Sequence, residues 1–117
     1  MNLFLWYPKC STCKKAYQEL QELNIDVKTR DIKEENPTKE ELREWWKRSS
    51  VDLKKFFNTS GLIYKEQKLK EKLPNMTEEE QLELLASNGM LVKRPILITK
   101  DKIIIGYKEK NYQNLEG

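Results

Sequence analysis

The amino-acid sequence predicts an α/β fold built on one four-stranded mixed sheet, in the order βαβ, helical insert, ββα. An apolar run, a helical pattern and an alternating run follow one another within the first 32 residues, and two β-branched runs lie close together near residue 100. Between them, helix-start signals predict an insert over about residues 38–90. With a length of 117 residues, residues 1–117 are expected to form a single domain.

The first third of the chain predicts a strand, a helix and a second strand. Residues 3–7 are a short aromatic-rich apolar run, which indicates a buried strand that Pro8 ends. From Ser11 apolar residues recur at helical spacing, and Asn24 is expected to close this helix. Residues 27–32 alternate as a second strand, and the intervening helix makes the two strands parallel.

The insert is predicted to be helical, with a break at residues 58–61. Two capping boxes, each a Thr followed three residues later by a Glu, predict helix starts at Thr38 and Thr77. Ser50 is expected to cap a short helix, and residues 62–73 are expected to be helical but ragged. The helix that follows Thr77 is expected to end with Gly89 at its C′ position.

The last third predicts a hairpin and a short helix. Residues 95–99 and 103–105 are β-branched runs separated by three polar residues, which is typical of an antiparallel pair. A closing helix is predicted over residues 109–115. This order of elements is the plan of a thioredoxin-like fold.

Composition excludes several classes of function. The chain has no histidine, which excludes Cys-His and Ser-His pairs and His-ligated metals. Its two cysteines are too few for a disulfide scaffold or a four-cysteine zinc site. A net charge of +3, from well-mixed charges, does not indicate binding to nucleic acid or to a membrane surface. Since the sequence shows neither a membrane-spanning run nor a signal-peptide pattern, we expect a cytoplasmic protein. We also expect it to be a monomer.

Cys10 and Cys13 lie where the first strand is predicted to end and the first helix to begin. The free amides and the dipole of a helix N-terminus favour a thiolate, and the second sulfur one turn later is within reach of a disulfide. We therefore predict Cys10 as the nucleophile and Cys13 as the resolving thiol, with Lys9, Ser11 and Thr12 contacting the substrate. The alternatives are two buried apolar side chains, or half of a metal site shared by two chains.

Arg94 and Pro95 form the second candidate feature. A proline that opens a strand lacks the amide of the ladder and belongs at an edge or a special turn. In a thioredoxin-like fold that turn faces the cysteines, so Arg94 would bring a fixed positive charge to the thiolate or to an anionic substrate. Pro95 would then contact the substrate. The alternative is a solvated arginine before an ordinary trans-proline.

Four segments together resemble the arsenate reductase/Spx family of ArsC-like proteins, over about residues 1–115. They are YPKCSTCKKA at residues 7–16, NTSG at 58–61, KRPILI at 93–98, and Gly106-Tyr107. The resemblance implies a thioredoxin fold with a helical insert, a cytoplasmic location, and neither a metal nor a bound cofactor. It also implies that Cys10 is the reactive thiol and that Pro95 is cis.

The resemblance covers two functional branches. Glutaredoxin-coupled arsenate reductases use one cysteine and several arginines, to which Cys10 and Arg94 correspond; no arginine lies near Asn58 or Tyr107. Spx-type regulators use a Cys-x-x-Cys switch and bind the α subunit of RNA polymerase. Their contact depends on a glycine ahead of the segment that matches Asn58, and residues 51–54 contain none.

These observations lead to one main hypothesis and two alternatives. The main hypothesis is a thiol–disulfide oxidoreductase or reductase-like enzyme that acts on a disulfide-bearing or oxidised substrate. Its expected co-substrate is glutathione or another low-molecular-weight thiol, and its expected protein partners are glutaredoxin or thioredoxin. The first alternative is an Spx-type redox-switch regulator that binds RNA polymerase, and the second is a glutaredoxin-coupled arsenate reductase.

Overall fold

The computed structural model describes residues 2–108, 110, 112, 113 and 115. Its strands are β1 (Asn2–Trp6), β2 (Val27–Asp31), β3 (Ile96–Ile98) and β4 (Ile103–Ile105). Its helices are α1 (Ser11–Glu22), α2 (Lys39–Ser49), α3 (Leu62–Glu66), α4 (Leu69–Lys72) and α5 (Glu78–Ser87). Short 3₁₀ turns cover Leu53–Phe56, Leu73–Asn75 and Gly89–Leu91.

The four strands form one mixed sheet in the order β2-β1-β3-β4. β1 and β2 are parallel, and β3 is antiparallel to both β1 and β4. All of α2–α5 lie between β2 and β3 in the sequence. The predicted thioredoxin-like plan with a helical insert is therefore confirmed.

The core consists of two clusters that share the sheet. Phe4 packs with Ala16 and Leu20 of α1, whereas its neighbour Leu5 packs with residues of the insert. Successive residues of a strand point to opposite faces, so β1 contributes to both clusters. This central position fixes the end of β1, from which the chain enters α1.

The first helix and both capping boxes agree with their sequence signals. Asn24 adopts φ 58° directly after the C-cap of α1, the left-handed conformation that asparagine tolerates better than most residues. Thr38 and Thr77 each accept a hydrogen bond from the amide of the Glu three residues later, and that Glu bonds back to the Thr amide. These local signals fix where α2 and α5 begin.

One prediction within the insert is wrong, and two are confirmed. Ser50 does not cap a following helix: it is the left-handed C-cap of α2, and the carboxylate of Asp52 caps the next turn. Residues 62–73 are helical but interrupted, as expected of a ragged segment, because Lys68 adopts φ 53° and separates α3 from α4. Gly89 lies at the C′ position of α5, directly after the C-cap Asn88, and opens a 3₁₀ turn; positive φ among the described glycines is confined to Gly106.

The position of Gly89 is explained by a close approach between two segments. A Cβ atom on Gly89 would lie 1.8 Å from the carbonyl oxygen of Ile32. Only glycine allows the two backbones to pack this closely. The glycine is therefore required by a contact between residues distant in sequence and not by the helix end.

The C-terminal segment is bound to α1 through a carboxylate. Glu19 accepts hydrogen bonds from the hydroxyl of Tyr107 and from the amides of Lys110 and Tyr112, at 2.7, 2.8 and 2.8 Å. The predicted helix over residues 109–115 includes Glu109, Asn111 and Asn114, which lie outside the described residues.

Candidate active site

The turn between β1 and α1 sets the position of both thiols. The amide of Cys10 donates to the carbonyl of Tyr7 at 2.9 Å, which folds the chain back just after the strand. Cys10 is the N-cap of α1, with extended φ −90° and ψ 123°, and its carbonyl accepts from the amide of Lys14 at 3.1 Å. The predicted placement of Cys10 at a helix start is confirmed.

The two cysteines differ in their access to solvent. Both are free thiols; Cys10 is partly exposed and Cys13 is fully buried. Cys13 lies in the first turn of α1, and its sulfur accepts a hydrogen bond from the amide of Tyr7 at 3.5 Å. A reagent in solution therefore meets Cys10 first.

The surroundings of Cys10 favour its thiolate. Partial burial raises the pKa of Cys10, but the amide and thiol of Cys13, the amide of Thr12 and the charge of Arg94 outweigh this effect, and the net pKa is lowered. As a neutral thiol, Cys10 makes no capping hydrogen bond among the described residues. The amides at the start of α1 are thus available to the anionic sulfur.

The surroundings of Cys13 have the opposite effect and favour its protonated form. Burial raises its pKa to about 12, and the neighbouring Cys10 charge acts in the same direction, against the lowering effects of the Tyr7 amide and Arg94. At neutral pH Cys13 is therefore a protonated thiol that donates toward Cys10. One site thus holds an accessible thiol whose ionisation is favoured and a buried thiol that stays protonated.

Arg94 lies at the same end of the sheet as the cysteines. Leu5 pairs with Ile96, so the antiparallel register continues to bring Tyr7 opposite Arg94. The guanidinium of Arg94 lies over the Tyr7 ring, 5.2 Å from its centroid, which is a cation–π contact. Its Nη1 donates to the carbonyl of Met90 at 3.5 Å, and its buried Nε has no hydrogen-bond partner in the described part of the chain.

The Arg94–Pro95 peptide bond is cis, as the resemblance implied. Pro95 is buried and Arg94 is only partly exposed. The alternative of a solvated arginine before a trans-proline is therefore wrong. The charge of Arg94 acts on both thiols, which agrees with a turn that faces them.

Lys9, Ser11 and Thr12 surround Cys10 along the chain and are exposed. Within the described residues their side chains make no hydrogen bond or ion pair, so they stay available to a bound molecule. The amide of Thr12 also favours the Cys10 thiolate, a role that its side chain does not reveal.

Tyr7 is the site residue that the sequence reasoning missed. Its carbonyl holds the Cys10 amide, its amide donates to Cys13, and its ring lies under Arg94. The available signal was an aromatic residue at the end of a strand, three positions before a cysteine. In the sequence, Tyr7 reads only as the last residue of that strand and the first of the segment 7–16 that carries the resemblance.

The described residues include neither a candidate metal site nor a helix that could span a membrane. Across the described residues, no group of three or more cysteine or carboxylate side chains is positioned to hold a metal ion. Within the same part of the chain, the helices are too short or too polar to cross a membrane.

Comparison with curated proteins finds relatives over most of the chain. The uncharacterized Bacillus subtilis protein YusI is 52% identical over 94% of this chain and 93% of its own length. The regulatory protein MgsR of B. subtilis is 33% identical over 89% of this chain and 81% of its own. The global transcriptional regulator Spx of Listeria innocua is 29% identical over 87% and 76%, respectively.

Solved structures agree with the fold. An ArsC family related protein from Bacteroides fragilis matches with a TM-score of 0.93 and 53% identity, covering 98% of this chain and 97% of its own. A possible arsenate reductase from Streptococcus mutans matches with a TM-score of 0.89 and 46% identity, covering 97% and 96%. The ArsC family model matches residues 5–115, which include both thiols and the Arg94–Pro95 turn. The chain therefore belongs to the ArsC family.

Proposed function

We propose that the protein is a cytoplasmic thiol–disulfide oxidoreductase in which Cys10 is the nucleophile and Cys13 the resolving thiol. One observation supports this most directly: the accessible sulfur is the one whose thiolate is favoured, and the buried sulfur one turn later stays protonated. A nucleophile must be reached and ionised, whereas a resolving thiol must wait until a mixed disulfide has formed.

The reaction consists of two exchanges. The Cys10 thiolate attacks one sulfur of a substrate disulfide, so that a Cys10–substrate bond forms, the substrate S–S bond breaks, and a substrate thiolate leaves. Cys13 then gives its proton to the departing thiolate and attacks the Cys10 sulfur, which breaks the Cys10–substrate bond and releases the second substrate thiolate; that thiolate takes a proton from water. The substrate gains two electrons and the protein holds a Cys10–Cys13 disulfide.

The first exchange requires stabilisation of negative charge on sulfur. Arg94 lies close enough to act on both thiols, and its buried Nε is a donor without a partner in the described residues. We assign it to the anionic sulfur in each exchange. Pro95 is assigned to the edge against which the substrate docks, and Lys9, Ser11 and Thr12 to its exposed rim.

Turnover requires a reductant for the Cys10–Cys13 disulfide. A low-molecular-weight thiol such as glutathione, or a reduced glutaredoxin or thioredoxin, would supply two thiols and accept the disulfide. Attack on Cys10 is favoured because its sulfur is the exposed one of the pair.

A trapping experiment tests this proposal. The Cys13→Ser variant is expressed in the native host and captured, and the species that a reductant releases are identified by mass spectrometry. Because the resolving thiol is absent, we expect mixed disulfides to persist on Cys10. The Cys10→Ser/Cys13→Ser double variant is the matched control and should release nothing. Equal release from both variants, or none from Cys13→Ser, would contradict the proposal.

A redox-switch regulator is the second candidate, favoured by the similarity to MgsR and Spx. In that case the Cys10–Cys13 disulfide would change an adjoining surface that binds a protein, and RNA polymerase through its α subunit is the partner to seek. The same capture separates the two candidates. A partner that stays bound without a disulfide, and in only one oxidation state, would favour the regulator.

Arsenate reduction is the third candidate, favoured by the similarity to a possible arsenate reductase. The arginines argue against it. Arg30 pairs with Glu41, Arg43 pairs with Glu79, and Arg48 donates to the hairpin carbonyls of Thr99 and Lys100. Arg94 is thus the one arginine that acts on the thiols. An uncharged disulfide does not need the several arginines that would bind the arsenate oxyanion.

A further inference from the structure

A groove of about 850 Å³ lies between β4 and the insert, and neither cysteine lines it. Its apolar lining includes Ile103 and Ile105 of β4 together with Phe57 and Tyr64 of the insert. The two aromatic rings contact one another, with centroids 6.3 Å apart. The volume is in the range of sites that hold one small organic molecule.

The groove is strongly cationic. Lys54, Lys55, Lys70 and Lys93 all line it, and Asp52 is the one carboxylate among the lining residues. Its Oδ1 accepts from the amide of Lys54 at 3.0 Å, and its charge offsets one of the four positive charges. In the part of the chain that the structure describes, none of the four ammonium groups forms an ion pair.

The absence of ion pairs here contrasts with the contact between α2 and α5. There, Lys39 lies 2.7 Å from Glu79 and 3.0 Å from Glu83, and Arg43 lies 2.6 Å from Glu79. The chain has nearly as many acidic as basic residues, 19 against 22, so carboxylates are not scarce. Asp52 is nevertheless the one carboxylate on the groove lining, so its four lysines leave a formal excess of three positive charges there.

The four lysines do not come from one charged run. Lys54 and Lys55 lie on the 3₁₀ turn after α2, Lys70 lies on α4, and Lys93 immediately precedes Arg94. The stem of Lys93 passes over the chain after β4, since a Cβ on Gly106 would lie 3.1 Å from its Cε. The fold thus brings three separate segments together around one apolar surface.

We propose that this groove binds a small organic anion that carries at least two negative charges on a flat apolar body, such as a phosphorylated or polycarboxylated aromatic compound. The anionic groups would pair with the lysines, and the apolar body would cover Ile103 and Ile105. Neither charge nor apolar surface alone accounts for the lining. The site is separate from the proposed thiol chemistry and does not depend on it.

The test is an NMR titration of the ¹⁵N-labelled protein with naphthalene disulfonate, which has a flat apolar body and two anionic groups. We expect saturable shifts at residues 51–59, 64, 93 and 103–105. Sulfate, with charge alone, and 2-naphthol, with the apolar body alone, should each bind at least about tenfold more weakly.

Charge variants complete the test. Lys54→Gln/Lys70→Gln should raise the Kd for naphthalene disulfonate about tenfold, since two charge pairs are lost. Lys28→Gln/Lys47→Gln removes two exposed lysines outside the groove and should leave the Kd unchanged. The proposal is overturned if both double variants weaken binding equally, if the shifts lie outside the groove, or if sulfate binds as tightly as the disulfonate.

Discussion

Cys10 and Cys13 are separated by only two residues, yet their surroundings shift the pKa values of the two thiols in opposite directions. Cys10 is partly exposed at the start of α1, where free amides and Arg94 favour the anion, whereas Cys13 lies beneath it in the core. Each thiol also determines the state of the other, because the Cys13 proton stabilises the Cys10 anion and the Cys10 charge keeps Cys13 protonated. Ionisation of the pair is therefore ordered, with Cys10 first.

Arg94→Met tests how much the charge of Arg94 contributes to the lowered pKa of Cys10. The side chain keeps its length but loses its charge, so we predict that the pKa of Cys10 rises and that alkylation of Cys10 by iodoacetamide near neutral pH becomes slower. The rate as a function of pH, with the modified cysteine identified by mass spectrometry, gives the answer. Arg48→Met, which removes an arginine from the hairpin contact, should match the wild type. An unchanged profile in Arg94→Met would show that the helix amides and the Cys13 thiol stabilise the anion without Arg94.

At the scale of single residues, the sequence was sufficient to identify the candidate site residues but not the contacts between them. The Cys-x-x-Cys spacing at a strand–helix junction was sufficient to find both thiols, because the signal is local. The function of Tyr7 was not predictable in this way. It depends on a register between β1 and β3 that joins residues 87 positions apart, and no pattern near Tyr7 encodes it.

The helices of the insert also differ in whether their ends are determined by neighbouring residues or by residues distant in the sequence. The capping boxes at Thr38 and Thr77 are complete within four residues and were predicted from the sequence. The break at Lys68 was not, because a lysine gives no signal for a left-handed conformation. Gly89 was assigned to a helix end, the common local reason for a glycine, whereas its actual requirement is the carbonyl of Ile32.

Gly89→Ala should therefore cost more stability than a substitution at a helix end. The added Cβ would lie 1.8 Å from the Ile32 oxygen, so two backbone segments must move apart. We expect the free energy of unfolding to fall by about 1–3 kcal/mol in denaturant titrations, the usual cost of overpacking. Gly61→Ala is the comparison, because its nearest atom is the side-chain Nδ2 of Asn58, which can move more easily. Equal losses in the two variants would mean that the Ile32 contact is not the constraint.

Across the whole molecule, polar contacts join the insert to the βαβ half that carries the thiols. Arg30 of β2 binds both carboxylate oxygens of Glu41 in α2, at 2.7 and 2.9 Å. The side-chain Nδ2 of Asn36 donates to the carbonyl of Ala86 at the end of α5. Glu41 also completes the capping box of α2, so one carboxylate both starts the helix and anchors it to the sheet. A bidentate arginine–carboxylate pair is the ion-pair geometry most able to contribute to stability.

Glu41 makes the stability of the molecule depend on pH in the acid range. The hydrogen bond from Arg30 is the main cause that lowers the pKa of Glu41 from 4.5 to about 2. A carboxylate with a depressed pKa in the folded state stabilises the protein above its unfolded pKa and loses that contribution as pH falls through the folded one. We therefore expect the wild type to lose stability between about pH 4.5 and about pH 2, and Glu41→Gln to lose less over that interval. At neutral pH Glu41→Gln should be less stable by about 1–2 kcal/mol, a figure reduced for the partial exposure of the pair.

Denaturant titrations over this pH range measure both effects. Glu40→Gln removes an exposed carboxylate from the same turn of α2 and should retain the pH dependence of the wild type. If Glu41→Gln instead parallels the wild type at every pH, Glu41 would act only as a neutral helix cap, and another contact must join α2 to β2. Convergence of the two curves toward pH 2 would show that the ionised carboxylate joins the insert to the thiol-bearing half, because only an interaction that depends on that charge disappears when it is protonated.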